Sequence, residues 1–174
     1  MLLADMRSLL SGWRVDILAT DISAQAVFRA QTGLYSQFEV QRGLPVRRLL
    51  RHFTQTDAGW TIAPDLRGAV EFREFNLLDG FEALGSFDLI LCRNLVIYLD
   101  AATRATLFGK LARALAPDGA LCLGASEAPL GLGGVLRPHP AHRGFFVHQR
   151  AAAPRPNGRY ASPAAGDTSG APAS

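Results

Sequence analysis

The 174-residue sequence is short of cysteine, of histidine and of net charge, and each shortage excludes a class of protein. Its two thiols, Cys92 and Cys122, each sit inside an apolar run that reads as a buried strand, so neither a disulfide framework nor a thiolate metal site is expected. That usage fits a reducing cytoplasm. Of the four histidines, His139 and His142 invite a metal reading, but Pro138 and Pro140 make the segment a loop and no acidic or cysteine ligand is close in sequence. No metal is expected. Lys and Arg outnumber Asp and Glu only 18 to 15, too small a surplus to argue for nucleic acid without a clustered basic face. The nearest cluster, Arg47, Arg48 and Arg51 with His52, reads as a solvated helix face or as a surface for an acidic protein partner. No apolar stretch approaches the roughly 20 residues that cross a bilayer, and the first residues lack a basic-then-apolar leader. What is present, 48% apolar and 19% charged residues, is the composition of a folded globular protein.

The pattern of elements is that of alternating strands and helices. Apolar residues at positions 2, 3, 6, 9 and 10 predict a helix over residues 1–10. Nothing precedes it as a cap, so the chain is read as beginning in the middle of a structural unit. A strand is predicted over 15–22, ending in Thr20-Asp21, then a helix capped by Ser23 and closed by Gly33. Further strands are expected over 70–78 and 87–92, the latter a continuous apolar run suited to burial on both faces. A helix over 101–115 follows, then a Pro117-Asp118-Gly119 turn and a strand over 120–124. A closing antiparallel edge strand is expected around Phe145 to Val147.

This alternation predicts an α/β fold with a doubly wound, mostly parallel sheet. Residues 34–69 interrupt it with a helix over 45–53 and a short strand over 60–62, and read as an inserted α+β subdomain within a domain covering 1–150. Residues 151–174 are almost wholly Ala, Pro, Gly, Ser and Arg and read as a disordered tail.

Ligands of open α/β sheets bind outside the carboxyl ends of the strands, which draws attention to the polar residues there. Asp21 ends the first strand and can accept hydrogen bonds from ribose hydroxyls, or can simply organise the start of the next helix. Asn76 near the end of the second strand could read an adenine edge with Leu77 and Leu78 over the ring, or be an ordinary turn residue. Arg93 and Asn94 follow Cys92 abruptly, with Tyr98 shortly beyond, and are harder to explain structurally. Converging polar groups at adjacent strand ends are what a small-molecule site requires. The glycines at 131–134 lack the Lys-Ser/Thr of a phosphate loop, and no Gly-x-Gly-x-x-Gly turn follows a strand, which argues against a nicotinamide-dependent oxidoreductase.

Taken together, Ala19-Thr20-Asp21-Ile22-Ser23, Phe75-Asn76-Leu77-Leu78, the run from Phe87 to Asn94 with Ile97-Tyr98, and Leu115-Ala116-Pro117-Asp118-Gly119 resemble the CheR family of protein-glutamate O-methyltransferases. So do the stretches from Phe38 to Pro45 and from Gly124 to Glu127. The resemblance implies a Rossmann-like fold of the class I methyltransferase type, with S-adenosylmethionine as cofactor. Asp21 would hold the cofactor ribose, Asn76 and Leu77 would contact the adenine, and Arg93 and Asn94 would line the pocket. Tyr98, with Arg93, would sit near the transferred methyl. The implied partners are the cytoplasmic helices of chemoreceptors, with no nucleic acid and no membrane insertion. The inserted segment would correspond to the family's small β-containing subdomain, although its loop near Gln55 is short for docking a receptor tail.

The departure from the family is at the front, where an N-terminal helical domain and a first strand with a Gly-rich, Glu-Glu-containing loop would stand. The fold is therefore expected to be incomplete at its amino end, and methyl transfer and cofactor binding by this chain to be impaired. A non-catalytic relic or receptor-interaction module of the same family is the alternative expectation.

Overall fold

A computed structural model describes residues 1–124, 127 and 134–149. The expected tail and the glycines at 131–133 lie outside the described residues. The chain forms two compact units, Met1–Asp79 and Gly80–Ser174. Both mix helices with multi-stranded sheets, and no helix among the described residues is long and apolar enough to cross a membrane.

The first unit is organised by a parallel pair, β1 (Ile17–Asp21) and β5 (Val70–Glu74), in register from Ile17 opposite Val70 to Asp21 opposite Glu74. Helix α1 (Leu2–Asp5) precedes it. The helix expected over residues 1–10 stops at Asp5, because an uncapped start and a short stretch with no buried side chain give it little packing to hold it. Asp5 is nonetheless anchored, accepting from Arg48 Nε at 3.2 Å and lying 3.0 Å from Arg51 and 3.2 Å from His52 Nε2.

Helix α2 (Ala24–Thr32) starts where Ser23 Oγ accepts the Ala26 N–H and ends at Gly33, whose φ of +67° is the left-handed turn that glycine supplies. A Cβ on Gly33 would lie 2.8 Å from Ile62 Cγ2, so the turn also needs the space.

Between α2 and β5 stands a second sheet. Strands β2 (Leu34–Tyr35), β3 (Phe53–Thr56) and β4 (Gly59–Ile62) pair antiparallel in the order β2-β4-β3. The sequence indicated only β4. β3 has weak apolar signal but is fixed by the hairpin at Gly59, where Thr56 Oγ1 donates to the Gly59 carbonyl at 3.0 Å. Helices α3 (Gln37–Gln41), α4 (Val46–His52) and α5 (Pro64–Gly68) accompany it. A reciprocal Ser36–Glu39 capping box opens α3, and Val40, Leu49 and His52 are buried.

The second unit is a four-stranded sheet ordered β6-β7-β9-β8, made of β6 (Phe87–Cys92), β7 (Leu115–Leu123), β8 (Leu136–Pro138) and β9 (Phe145–His148). β6 and β7 are parallel, and β9 runs antiparallel to both β7 and β8. Helix α6 (Ala101–Ala114) begins at Asp100, whose Oδ1 accepts the Ala102 and Thr103 N–H groups at 2.9 Å each. It buries Leu107, Phe108 and Leu111, which with Val96, Leu121 and Leu123 form the core.

Three expectations are corrected here. Pro117-Asp118-Gly119 is not a turn between α6 and a strand but a bulge inside β7. Phe87 pairs with Leu115 and Leu89 with Ala120, so two residues of β6 advance against five of β7. Gly119 permits it, since a Cβ there would lie 3.0 Å from the carbonyl oxygens of Phe87 and Asp88. β9 is not the edge, because β8 pairs along its outer side. Nor is β6 buried on both faces: among the described residues it pairs with β7 alone, and Leu89 and Leu91 are exposed.

Candidate functional site

The residues singled out from the sequence form two clusters, one in each unit, and each is built by its own strand ends. In the first unit the parallel register brings Asp21 beside the end of β5, and the Phe75 N–H donates to the Asp21 carbonyl at 2.9 Å. Asp21 is exposed, and its Oδ1 accepts the Ser23 N–H at 2.8 Å, shaping the entry to α2. Among the described residues no donor bonds its other carboxylate oxygen. Asn76 and Leu77 are half-buried just past β5, and Asn76 Oδ1 accepts the Leu78 N–H at 3.0 Å. That bond uses the carbonyl side of the amide, and among the described residues none occupies its Nδ2. Asn76 is thus the turn residue expected, whereas the N-cap of α2 is Ser23 and not Asp21; each side chain keeps one polar atom without a partner among the described residues.

In the second unit β6 ends at Cys92, which is buried, and the chain turns out through Arg93 and Asn94, both exposed. Asn94 has φ +58°, the one non-glycine residue with positive φ among the described residues. A short 3-10 turn, Val96–Tyr98, follows. Val96 is buried while Tyr98 is 82% exposed, so the turn is pinned from beneath and its phenol stands free at the surface.

The residue that sequence reasoning passed over is Glu127. It is 5% exposed, and no cation pairs with it among the described residues. Its Oε1 accepts the Leu95 N–H at 2.7 Å and the Val96 N–H at 2.9 Å, and its Oε2 accepts the Gly124 N–H at 2.6 Å. Desolvation pushes its pKa up, but the N–H donors of Gly124, Leu95, Val96 and Asn94 outweigh it and hold the carboxyl below the usual range. Burial, with a smaller push from Glu127, raises the Cys92 thiol to about 11. The available signal was an acidic residue directly after an apolar strand, with no basic residue near it in sequence to pair with.

Residues 1–141 match the family described as CheR methyltransferase, SAM binding domain. The chain is similar to the chemotaxis protein methyltransferase Cher2 of Pseudomonas putida, 43% identical over 67% of this chain and 42% of that protein. It is 42% identical to chemotaxis protein methyltransferase 1 of Pseudomonas aeruginosa, over 66% of this chain and 42% of that one. A third relative, the Probable biofilm formation methyltransferase WspC of Pseudomonas aeruginosa, is 34% identical over 84% of this chain and 35% of its own length. The chain thus spans less than half the length of the curated relatives it matches. With a family match over most of its residues and motifs at the ends of β1, β5 and β6, this chain belongs to the CheR methyltransferase family.

Proposed function

We propose that this protein takes part in transferring the methyl group of S-adenosylmethionine to glutamate carboxylates on the cytoplasmic helices of chemoreceptors. The observation that supports the reading is the parallel pairing of β1 with β5, in which Asp21 lies opposite Glu74 and its carbonyl accepts the Phe75 N–H, one residue before Asn76. The donor set fits the cofactor. An exposed carboxylate oxygen suits a ribose diol, and an amide N–H with the apolar Leu77 beside it suits a purine edge and face.

When bound, S-adenosylmethionine supplies an electrophilic methyl on a sulfonium. By the family resemblance, Asp21 would accept from the ribose hydroxyls, Asn76 would donate to the adenine edge, and Leu77 would cover the ring. By the same resemblance, Arg93 and Asn94 of the second unit would contact the cofactor and Tyr98 would serve near the transferred methyl. A glutamate acceptor with a pKa near 4.3 is already ionised at neutral pH, so no strong general base is required. Positioning and partial desolvation of the carboxylate do most of the work, with Arg93 offsetting negative charge nearby. The acceptor's location makes the cytoplasm the compartment.

The test is transfer of radiolabelled methyl to receptor-enriched membranes by the protein purified from its own cells. The expected product is base-labile label on receptor glutamates, reduced about 10- to 100-fold in Asp21→Ala, the range for losing charge-assisted hydrogen bonds. Label appearing on other proteins, or Asp21→Ala transferring at the wild-type rate, overturns the reading.

A further inference from the structure

The loop that carries Arg93, Asn94 and Tyr98 is held by its backbone and by buried Val96 rather than by these three side chains. Among the described residues none of these three side chains makes a hydrogen bond of its own, so their direction depends on the backbone beneath them. That backbone is unusual: Asn94 is left-handed at φ +58°, and the N–H groups of Leu95 and Val96 follow it as consecutive donors. Consecutive donors in such a turn form a concavity for negative charge. Here the occupant is part of the protein. Glu127, 32 and 31 residues away, places Oε1 on both donors and Oε2 on the Gly124 N–H.

The position of Glu127 makes this a brace between two strands. Cys92 and Leu123 are the last register pair of β6 and β7, and Gly124 directly follows Leu123. One carboxylate therefore ties the chain leaving β6 to the chain leaving β7. Gly124 leaves room for the carboxylate: a Cβ would lie 2.7 Å from Glu127 Oε2 and 2.9 Å from Asn94 Oδ1, so those side-chain ends would have to shift. With no cation beside it among the described residues, the buried charge is balanced by N–H donors, which makes those bonds strong and directional.

We propose that Glu127 is a positioning residue, whose carboxylate fixes the backbone of residues 93–98 and so presents Arg93, Asn94 and Tyr98 to cofactor and acceptor before either binds. The role rests on the reading of those three residues under the proposed function. Glu127 itself touches no reacting atom.

The experiment uses the full chain with Glu127→Gln and, as a milder perturbation, Gly124→Ala. Gln keeps the size but turns an NH2 toward N–H donors, and the alanine methyl pushes the carboxylate off them. Two readouts are taken: amide hydrogen exchange at Leu95 and Val96, with Ile90 and Leu121 as controls in the β6–β7 ladder, and S-adenosylmethionine affinity by calorimetry. The expected result is exchange at Leu95 and Val96 at least about tenfold faster, ladder amides unchanged, and affinity weakened about 10- to 100-fold, as for a misplaced binding group. If Glu127→Gln loosens the ladder as well, Gly124→Ala decides. Protected Leu95 and Val96 amides in both variants overturn the proposal, as does unchanged affinity despite loosened amides. Where the wild-type chain itself does not bind S-adenosylmethionine, the amide exchange alone decides whether Glu127 holds the loop.

Discussion

Replacing Asn94 once by glycine and once by alanine separates what its backbone demands from what its amide contributes. At φ +58° a residue with a Cβ pays about 1–2 kcal/mol in the left-handed region, asparagine less than most, and glycine nothing. In the unfolded chain the order is opposite, because glycine there has more freedom to lose and is disfavoured by about 0.4–1 kcal/mol relative to alanine. The difference leaves Asn94→Ala less stable than Asn94→Gly by about 1 kcal/mol, or about 2–4 °C in Tm for a chain of this size. At an ordinary φ the ranking would be reversed, so the sign alone is diagnostic. Thermal unfolding followed by circular dichroism measures it. Calorimetric titration of S-adenosylmethionine then reads the side chain, since neither variant carries the amide and both are expected to bind about tenfold more weakly. Asn94→Ala matching or exceeding Asn94→Gly in Tm refutes the left-handed turn, and full affinity in Asn94→Gly refutes the amide contact.

Gly33→Ala combines left-handed backbone strain with a Cβ 2.8 Å from Ile62 Cγ2 and 3.2 Å from Arg67 Cδ. A loss of about 2–3 kcal/mol in urea unfolding is expected, and a loss below 1 kcal/mol contradicts the turn. Cys92, buried with its thiol pushed up to about 11, should resist iodoacetamide at pH 8 until denaturant is added, as peptide mass spectrometry will show. Rapid labelling in the native chain excludes the burial described. The carboxyls of Glu39, held by the Ser36 backbone and hydroxyl donors, of Asp100, held by the Thr103 backbone and hydroxyl donors, and of Glu127 all lie below their ordinary values. Folding depresses these values, so their contribution is complete above the ordinary carboxylate range near pH 4 and is lost as pH falls through the lower folded values. Acid titration of stability should be level from neutral to about pH 5 and then decline, the decline shrinking in Glu127→Gln. A profile that begins to fall above pH 6 points to other groups.

The parts legible in the sequence were those whose cause is local. Ser23 and Gly33 bracket α2, Phe87 to Cys92 is a strand by its own apolar run, and Asp21 and Asn76 stand where a parallel pair must end. What was not legible depends on partners far along the chain. Beside the Gly124 N–H, Glu127 takes the Leu95 and Val96 N–H groups from more than 30 positions earlier, and no spacing rule connects them. Pro117-Asp118-Gly119 carries every local mark of a turn, yet pairing of β6 with β7 on either side of it keeps the strand going. β8 is three residues ending in proline, strand only because β9 lies beside it.

The antiparallel sheet between α2 and β5 has a bearing on how this protein can diversify. Among the described residues its three strands form a separate sheet ordered β2-β4-β3, and it enters and leaves through the crossover that any parallel pair must have. Insertions or recoding at the Thr56–Gly59 hairpin leave the alignment of Ile17 with Val70 and of Asp21 with Glu74 untouched. Selection can therefore remodel that lobe while the register that ends with Asp21 opposite Glu74 stays constant.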